Sequence, residues 1–424
     1  MKSSKRKICQ VLALVVSGLG ATAAMAGPVV QGGGSSLVAP TINTEIANFS
    51  TSVGAFTYFS VGSGAGQNAF LQNQPTFFGA GVTGTVDFAN SDAALLSSQI
   101  SGYSRASTDG KLIQIPYIVT AIAIPVVGAP AVTSTTTPQT SPSQSHSIAL
   151  NDDDLCGIFS GRITDWSGVA NPEGGNYAAA PIKVVYRTDG SGTTELLTRH
   201  LSQVCHNTGS NINSNVAFVD SLTFTDSFGS SLPSNFVGAS GSGGVRNAVL
   251  NTTANGATVA YLSPDYTNTL LAPQSSVVTS ASAAQLQVAS LVNATDGKYY
   301  APNYTNATTA LGSIKPPVDT KARASNQLNW VPAAGNPVVG YPVSGTSQII
   351  LSQCYQDASK TNAVATFIAT HFTNPNFAAI VHGNGFDTVP SLYQQAISDV
   401  FVSDNLGYGL SIGNSTACST VTGR

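Results

Sequence analysis

Four times along this 424-residue chain, a strand-like run breaks into glycine with serine or threonine and then opens a helix. The turns are Gly32-Gly33-Gly34-Ser35-Ser36, Gly62-Ser63-Gly64-Ala65-Gly66, Asp189-Gly190-Ser191-Gly192-Thr193 after Arg187, and Ala239 to Gly244. A helix start exposes unpaired N–H groups and a partial positive charge, which makes it a natural seat for an anion. Glycine lets backbone approach a ligand, and hydroxyls add donors. None of the turns continues into Gly-Lys-Ser/Thr, so none is a P-loop. None matches G-x-G-x-x-G with an acidic partner, which argues against a dinucleotide site.

The same alternation of strand, turn and helix predicts an α/β chain, and its length predicts two domains. Expected helices cover Pro40–Phe49, Gln67–Leu71, Asn151–Trp166, a stretch ending at Leu201, Ala363–Phe372 and Ser391–Phe401. Expected strands cover Phe56–Val61, Thr85–Ala89, Ile182–Tyr186, Thr258–Leu262 and the region Val338–Leu351. The apolar run Leu112–Val127 reads as a buried strand, or a strand pair at a domain crossing. Residues 131–146, rich in Ser, Thr, Pro and Gln, read as an exposed loop, and 268–329 as decoration on the second domain. Asp152, Asp153 and Asp154 read as helix capping rather than calcium binding, since no D-x-D-x-D-G follows.

Residues 1–26 carry the marks of a secretory signal. Lys2, Lys5, Arg6 and Lys7 precede an apolar stretch from Val11 to Ala23, and Ala24-Met25-Ala26 supplies a small-x-small cleavage pattern. Removing four basic residues from 17 leaves 13 against 20 acidic ones, a formal charge of −7. That sign disfavours nucleic acid as a partner, so an anion would have to be held by local geometry against the protein's own field. Cys156, Cys205, Cys354 and Cys418 remain, an even number that suggests disulfides with three possible pairings. Chain order favours Cys156–Cys205 and Cys354–Cys418. No Cys/His spacing suggests zinc. The five histidines, His146, His200, His206, His371 and His382, show no paired metal spacing, and Trp166 and Trp330 read as packing residues. No metal or cofactor is expected.

Gly32-Gly33-Gly34-Ser35-Ser36-Leu37-Val38-Ala39-Pro40 resembles the G-A-G-A-T-F-P-A-P opening of the phosphate-binding proteins of bacterial ABC transporters. Gly62-Ser63 is similar to that family's second turn, and Asp87-Phe88-Ala89-Asn90-Ser91-Asp92 to its D-F-G-A-S-D. Arg187-Thr188-Asp189-Gly190-Ser191-Gly192-Thr193 matches R-x-D-G-S-G-T. The run Leu155 to Gly168 resembles the DING branch of the family, and the cysteines fit that branch too. Gly27-Pro28-Val29-Val30 stands where that branch has its D-I-N-G opening.

The resemblance implies a two-lobed periplasmic-binding-protein fold of the type II, Venus flytrap kind, with two crossings and the ligand between the lobes. The first lobe would combine 27–120 and 340–424, and the second would span 121–339. It also implies the site. Ser36, the backbone at Leu37, Ser63, Asp92, Arg187, Ser191, Gly192 and Thr193 would touch phosphate, with Asp189 orienting Arg187. A carboxylate only accepts hydrogen bonds, so Asp92 would favour protonated phosphate over sulfate. The expected function is capture of inorganic phosphate by an exported, monomeric, periplasmic or secreted protein. It would serve uptake with an ABC-transporter permease, or scavenging, without membrane insertion. The alternative is a secreted phosphate-ester hydrolase resembling an alkaline phosphatase, for which Ser36, Ser63, Ser191 and Thr193 are candidate nucleophiles with no His or Lys beside them in sequence. A surface adhesion role is a third class, suggested by the Ser/Thr-rich segments.

Overall fold

A computed structural model describes residues 27–205, 211–229, 231–251, 256–332 and 335–424. The signal-like residues 1–26, with Cys9, and His206 lie outside them. The described chain builds two mixed sheets, each flanked by helices. The first contains β1 (Val29–Gly34), β2 (Ala55–Ser60), β3 (Phe88–Ser91) and β4 (Leu112–Ala121). The second contains β5 (Ile124–Val127), β6 (Ala149–Leu150), β7 (Ile182–Arg187), β8 (Phe236–Ala239), β9 (Ala257–Val259), β10 (Val288–Val292) and β11 (Tyr299–Tyr300). The chain then returns to the first sheet through β12 (Ser344–Ser352) and β13 (Asp387–Thr388).

The first sheet runs β13-β4-β12-β3-β1-β2, and the second runs β11-β10-β5-β9-β7-β8, with β6 paired to β10. Next to the cleft the strands are parallel. β1 pairs with β2 and β3, and β7 with β8 and β9. Their carboxyl ends therefore open at the same edge, where ligands of open α/β sheets bind. The apolar run 112–127 is a strand pair split at the crossing, with β4 buried along its whole length. The two crossings touch each other. Ile122 N–H donates to Val343 O at 2.8 Å, and Tyr341 Oη to Ile122 O at 2.9 Å.

Several expected boundaries shift. The second helix runs Ser63–Gln72, so the glycine turn is its first turn rather than its approach. β3 begins at Phe88, not at Thr85. The 152–159 helix is shorter than expected and is capped at both ends of a box: Asn151 Oδ1 accepts from Asp154 N at 2.8 Å, and Asp154 Oδ2 from Asn151 N at 3.1 Å.

Two polar segments are more integrated than their composition suggests. In 131–146, Ser134, Thr137, Thr140 and Ser141 are buried, because hydroxyls satisfy carbonyls locally: Thr137 Oγ1 donates to Ser147 O at 2.7 Å. Residues 268–329 supply β10 and β11 to the second sheet. The Tyr304–Leu311 helix and the Gln327–Trp330 turn instead pack on strands of the first sheet, β4 above all. The disulfides are Cys156–Cys205 and Cys354–Cys418, with Cα separations of 5.5 and 5.4 Å. Each joins elements beside one sheet. Trp166 and Trp330 are fully buried.

Candidate functional site

At the sheet edge, four helix starts converge. Those of Ala39–Asn48 and Ser63–Gln72 come from the first sheet's side, and those of Gly192–Val204 and Gly241–Asn251 from the second's. Their unpaired amides and aligned dipoles place partial positive charge in one cleft. Ser36, Leu37, Ser63, Asp92, Arg187, Ser191 and Thr193 are all buried there.

The two sides of the cleft touch. Ser36 Oγ and Ser242 Oγ lie 2.8 Å apart, and Ser242 N–H donates to Ser36 Oγ at 3.1 Å. Gly64 N–H donates to Gly190 O at 2.9 Å. Gly62 has φ of 91° and no room for a side chain, since a Cβ would lie 2.5 Å from Asp189 Oδ2. At Gly192 a Cβ would lie 2.6 Å from the Asp92 Cβ and 2.7 Å from the amides of Asp92 and Ala93.

Arg187 ends β7, and its guanidinium is nearly sealed from solvent. Asp189 holds it from one side: Nε donates to Oδ1 at 2.7 Å, and Nη2 to Oδ2. Gly241 N–H also donates to Asp189 Oδ1, at 2.9 Å. Burial pushes the Asp189 carboxyl up, but the hydrogen bonds and charge of Arg187 win and hold it below the ordinary aspartate range. Among the described residues, the Nη1 edge of Arg187 makes only a long 3.5 Å contact, with Ser242 Oγ. Ser191 caps its helix by accepting from Thr194 N–H at 3.2 Å. The Thr193 hydroxyl is buried without a hydrogen-bond partner among the described residues. A cation presenting a free edge beside a free hydroxyl and helix-start amides is a donor set for an oxyanion.

Asp92 is the acidic exception. Burial raises its pKa, opposed by Ser35, Ser347, the Arg187 charge and Ser63. Ser35 Oγ donates to Asp92 Oδ1 at 2.7 Å, and Asp92 N–H donates to Ser63 Oγ at 3.2 Å. Ser35 also accepts from Leu37 N–H at 3.1 Å, so the Leu37 amide has an internal partner.

Sequence reasoning missed several neighbours. Tyr58 Oη donates to Ser35 O at 2.7 Å, and Tyr261 Oη accepts from Arg187 N–H at 2.8 Å. Asp265, in the Pro264–Tyr266 turn, is fully buried; burial drives its pKa well up and the Asp92 charge adds to this, while Ser263 lowers it. Ser242 sits in the fourth glycine turn, which did carry a signal. Tyr58, Tyr261 and Asp265 carried none.

A buried, donor-rich cleft between two α/β lobes joined by two crossings defines a solute-binding protein of the periplasmic type. A family model described as "PBP superfamily domain" matches residues 21–370. A protein from an unknown prokaryotic organism, named "Phosphate-binding protein", is 34% identical over 376 residues, 85% of this chain and 92% of that one. "Alkaline phosphatase L" of Pseudomonas aeruginosa is 33% identical over 412 residues, 96% of each chain. Among solved structures, a high-affinity periplasmic phosphate-binding DING protein bound with phosphate at pH 8.5 superposes with a TM-score of 0.73 at 32% identity, covering 93% of this chain and 99% of that one. The chain belongs to the PBP superfamily, and within it to the DING-like phosphate-binding proteins.

Among the described residues, no helix is long and apolar enough to cross a membrane. Nor do three His, Cys, Asp or Glu side chains cluster as metal ligands there.

Proposed function

We propose that this chain is an exported phosphate-binding protein that captures inorganic phosphate in the cleft between its lobes. The observation that carries the reading is the pairing of Arg187 and Thr193. A guanidinium fixed by Asp189, with one edge free, lies in the same cleft as an unpartnered buried hydroxyl and four helix starts. In this reading the first lobe combines 27–120 and 340–424, and the second spans 121–339, with the 304–330 segment reaching across to the first sheet.

Arg187 offers the anion two N–H groups from its free edge. Ser36, Ser63, Ser191 and Thr193 offer hydroxyls and Gly192 its amide, while the Leu37 amide, bonded to Ser35 Oγ, joins the cage only by giving up that bond. Asp92 accepts the proton that phosphate retains near neutral pH. Export to the periplasm or beyond, delivery to an ABC-transporter permease and a monomeric state belong to the same reading. Support for export comes from the signal-like first 26 residues and from the periplasmic relative named above.

The name of the Pseudomonas aeruginosa relative keeps a second reading in view, hydrolysis of phosphate esters. Against it, three of the four candidate nucleophiles already bond within the protein, and the fourth, Thr193, has no partner to activate it among the described residues. Ser36 bonds to Ser242, Ser63 accepts from Asp92 N–H, and Ser191 accepts from Thr194 N–H. No His or Lys hydrogen-bonds to any of them among the described residues, so none has a base to activate it. Calorimetric titration of phosphate-stripped protein, run beside an ester-hydrolysis assay with added metals, separates the readings. Saturable one-site phosphate binding without turnover is expected. Turnover that Ser191→Ala or Thr193→Ala abolishes would replace binding with catalysis.

A further inference from the structure

Beside the anion cage lies a second space that the cage does not use. It is a cleft of about 600 Å³, within the range of small-molecule sites, and both lobes line it. The first lobe contributes Leu95, Leu96 and Gln99, and the second contributes Glu195, Arg199 and Leu222. The backbone at Gly192, packed directly on Asp92 and Ala93, separates it from the cage. Leu96, at the rim, is 65% exposed.

We propose that this cleft binds a small amphiphilic organic cation, an ammonium head carrying an apolar group. Three charged residues line it: Glu195, Arg199 and Asp220. Arg199 is already committed. It donates to Glu195 Oε1 through Nε at 3.2 Å and again through Nη2, and its Nε lies 3.7 Å from Asp220 Oδ2. Two carboxyls thus share one guanidinium, which leaves no free cation for an anionic guest and, once Glu195 gives up its proton, a negative excess. Glu195 is 7% exposed, and its second oxygen, Oε2, is buried with no hydrogen-bond partner among the described residues; after burial, the neighbouring Asp220 carboxyl is the group that raises the Glu195 pKa further. An N–H donor on a cation satisfies that oxygen and balances the excess. The leucines, with Leu328 and Val331, suit the apolar group.

Burial pushes the Glu195 carboxyl up to about 8, with the Arg199 charge lowering it and Asp220 raising it. A cation must therefore displace a proton from Glu195 near neutral pH, and its affinity rises between pH 6 and pH 8. Because both lobes line the cleft, an occupant also favours the closed arrangement and tightens phosphate binding by the same factor that phosphate tightens it. That coupling rests on the phosphate reading; the cation site itself does not.

The test is calorimetric titration with 2-phenylethylammonium, and with 2-phenylethanol as its uncharged analogue, in phosphate-saturated and phosphate-stripped protein. We expect saturable binding of the amine, proton release seen as buffer-dependent heat, and at least tenfold weaker binding of the alcohol. Glu195→Gln should weaken the amine at least tenfold while phosphate affinity stays within threefold, which also reports an intact fold. Asp220→Asn, at the exposed rim, should weaken it less. No saturable amine binding, equal binding of the alcohol, or unchanged amine affinity in Glu195→Gln would overturn the proposal. An amine effect only in phosphate-saturated protein would keep the site and assign it to the closed form. Amine binding without any phosphate binding would keep the site and remove the phosphate reading.

Discussion

Asp189 grips Arg187 along one edge, through Nε at 2.7 Å and through Nη2, and so turns the opposite edge of the guanidinium into the cleft. The same carboxylate accepts from Gly241 N–H at 2.9 Å, which ties the arginine to a neighbouring helix start. A flexible cation thereby becomes a fixed one before any anion arrives, and less conformational entropy is lost on binding.

The close packing at Gly192 makes closure testable. Alanine there fits its helical backbone, but its Cβ meets Asp92 and Ala93, which follow β3 of the first sheet. Overpacking of this kind costs about 1–3 kcal/mol, and in the proposed cleft-closing reading it falls on the phosphate-bound form. Gly192→Ala should weaken phosphate about 5- to 150-fold. Its melting temperature without phosphate should match that of the wild type, as scanning calorimetry would reveal.

Asp92 should set selectivity. Arg187 and the helix-start amides serve phosphate and sulfate alike, whereas only phosphate carries a proton near pH 7 for Asp92 to accept. Asp92→Asn should lower the phosphate-to-sulfate affinity ratio more than it lowers phosphate affinity, in paired titrations at matched ionic strength. An unchanged ratio would reduce Asp92 to a turn cap held by Ser35.

The helix starts were legible because they are local backbone signals: glycine beside serine at a strand end announces one whatever the rest of the chain does. Ser36, Ser63, Ser191 and Thr193 were named as phosphate contacts by resemblance to the family's motifs, and their contact with phosphate is a proposal. Ser242 belonged to the fourth such turn, which matched none of the family's motifs and so was not singled out. Tyr58, Tyr261 and Asp265 reach the site from strands and strand ends whose side-chain direction depends on sheet register, which sequence periodicity does not settle in short strands. The polar segments misled for a related reason. Residues 131–146 bury Ser and Thr, and 304–311 bury Ala307 and Ala310 with a single large aliphatic residue, Leu311, so they carry little hydrophobic pattern.

Arg424 should act as a clasp for the first lobe. Its buried guanidinium donates to Ser352 Oγ at 2.7 Å and to Phe70 O and Tyr103 Oη, each at 3.0 Å. It also pairs with Asp109 at 3.0 Å and lies 3.8 Å over the Phe70 ring. Removing one partner of a buried pair costs about 3–5 kcal/mol. Arg424→Ala should show that loss in urea unfolding, and Lys should not restore it, because a point charge cannot serve all these acceptors.

Asp154 gives stability a defined pH slope. Burial pushes its carboxyl up to about 6, against the lowering effect of the Asn151 and Ala170 amides. The folded state then holds a proton that the unfolded state has released, so this contribution falls as pH rises from about 4 to about 6 and stays flat above. The stability of wild type relative to Asp154→Asn should decline across that window and not beyond it, as read from unfolding midpoints.

The central claim is tested most directly by titrating phosphate into phosphate-stripped wild-type and Arg187→Ala proteins by calorimetry. The wild type should bind one phosphate per chain, and the folded variant should lose roughly 2–5 kcal/mol of binding, about 30-fold to several thousand-fold in affinity. Near-wild-type phosphate affinity in a folded Arg187→Ala protein would contradict the account.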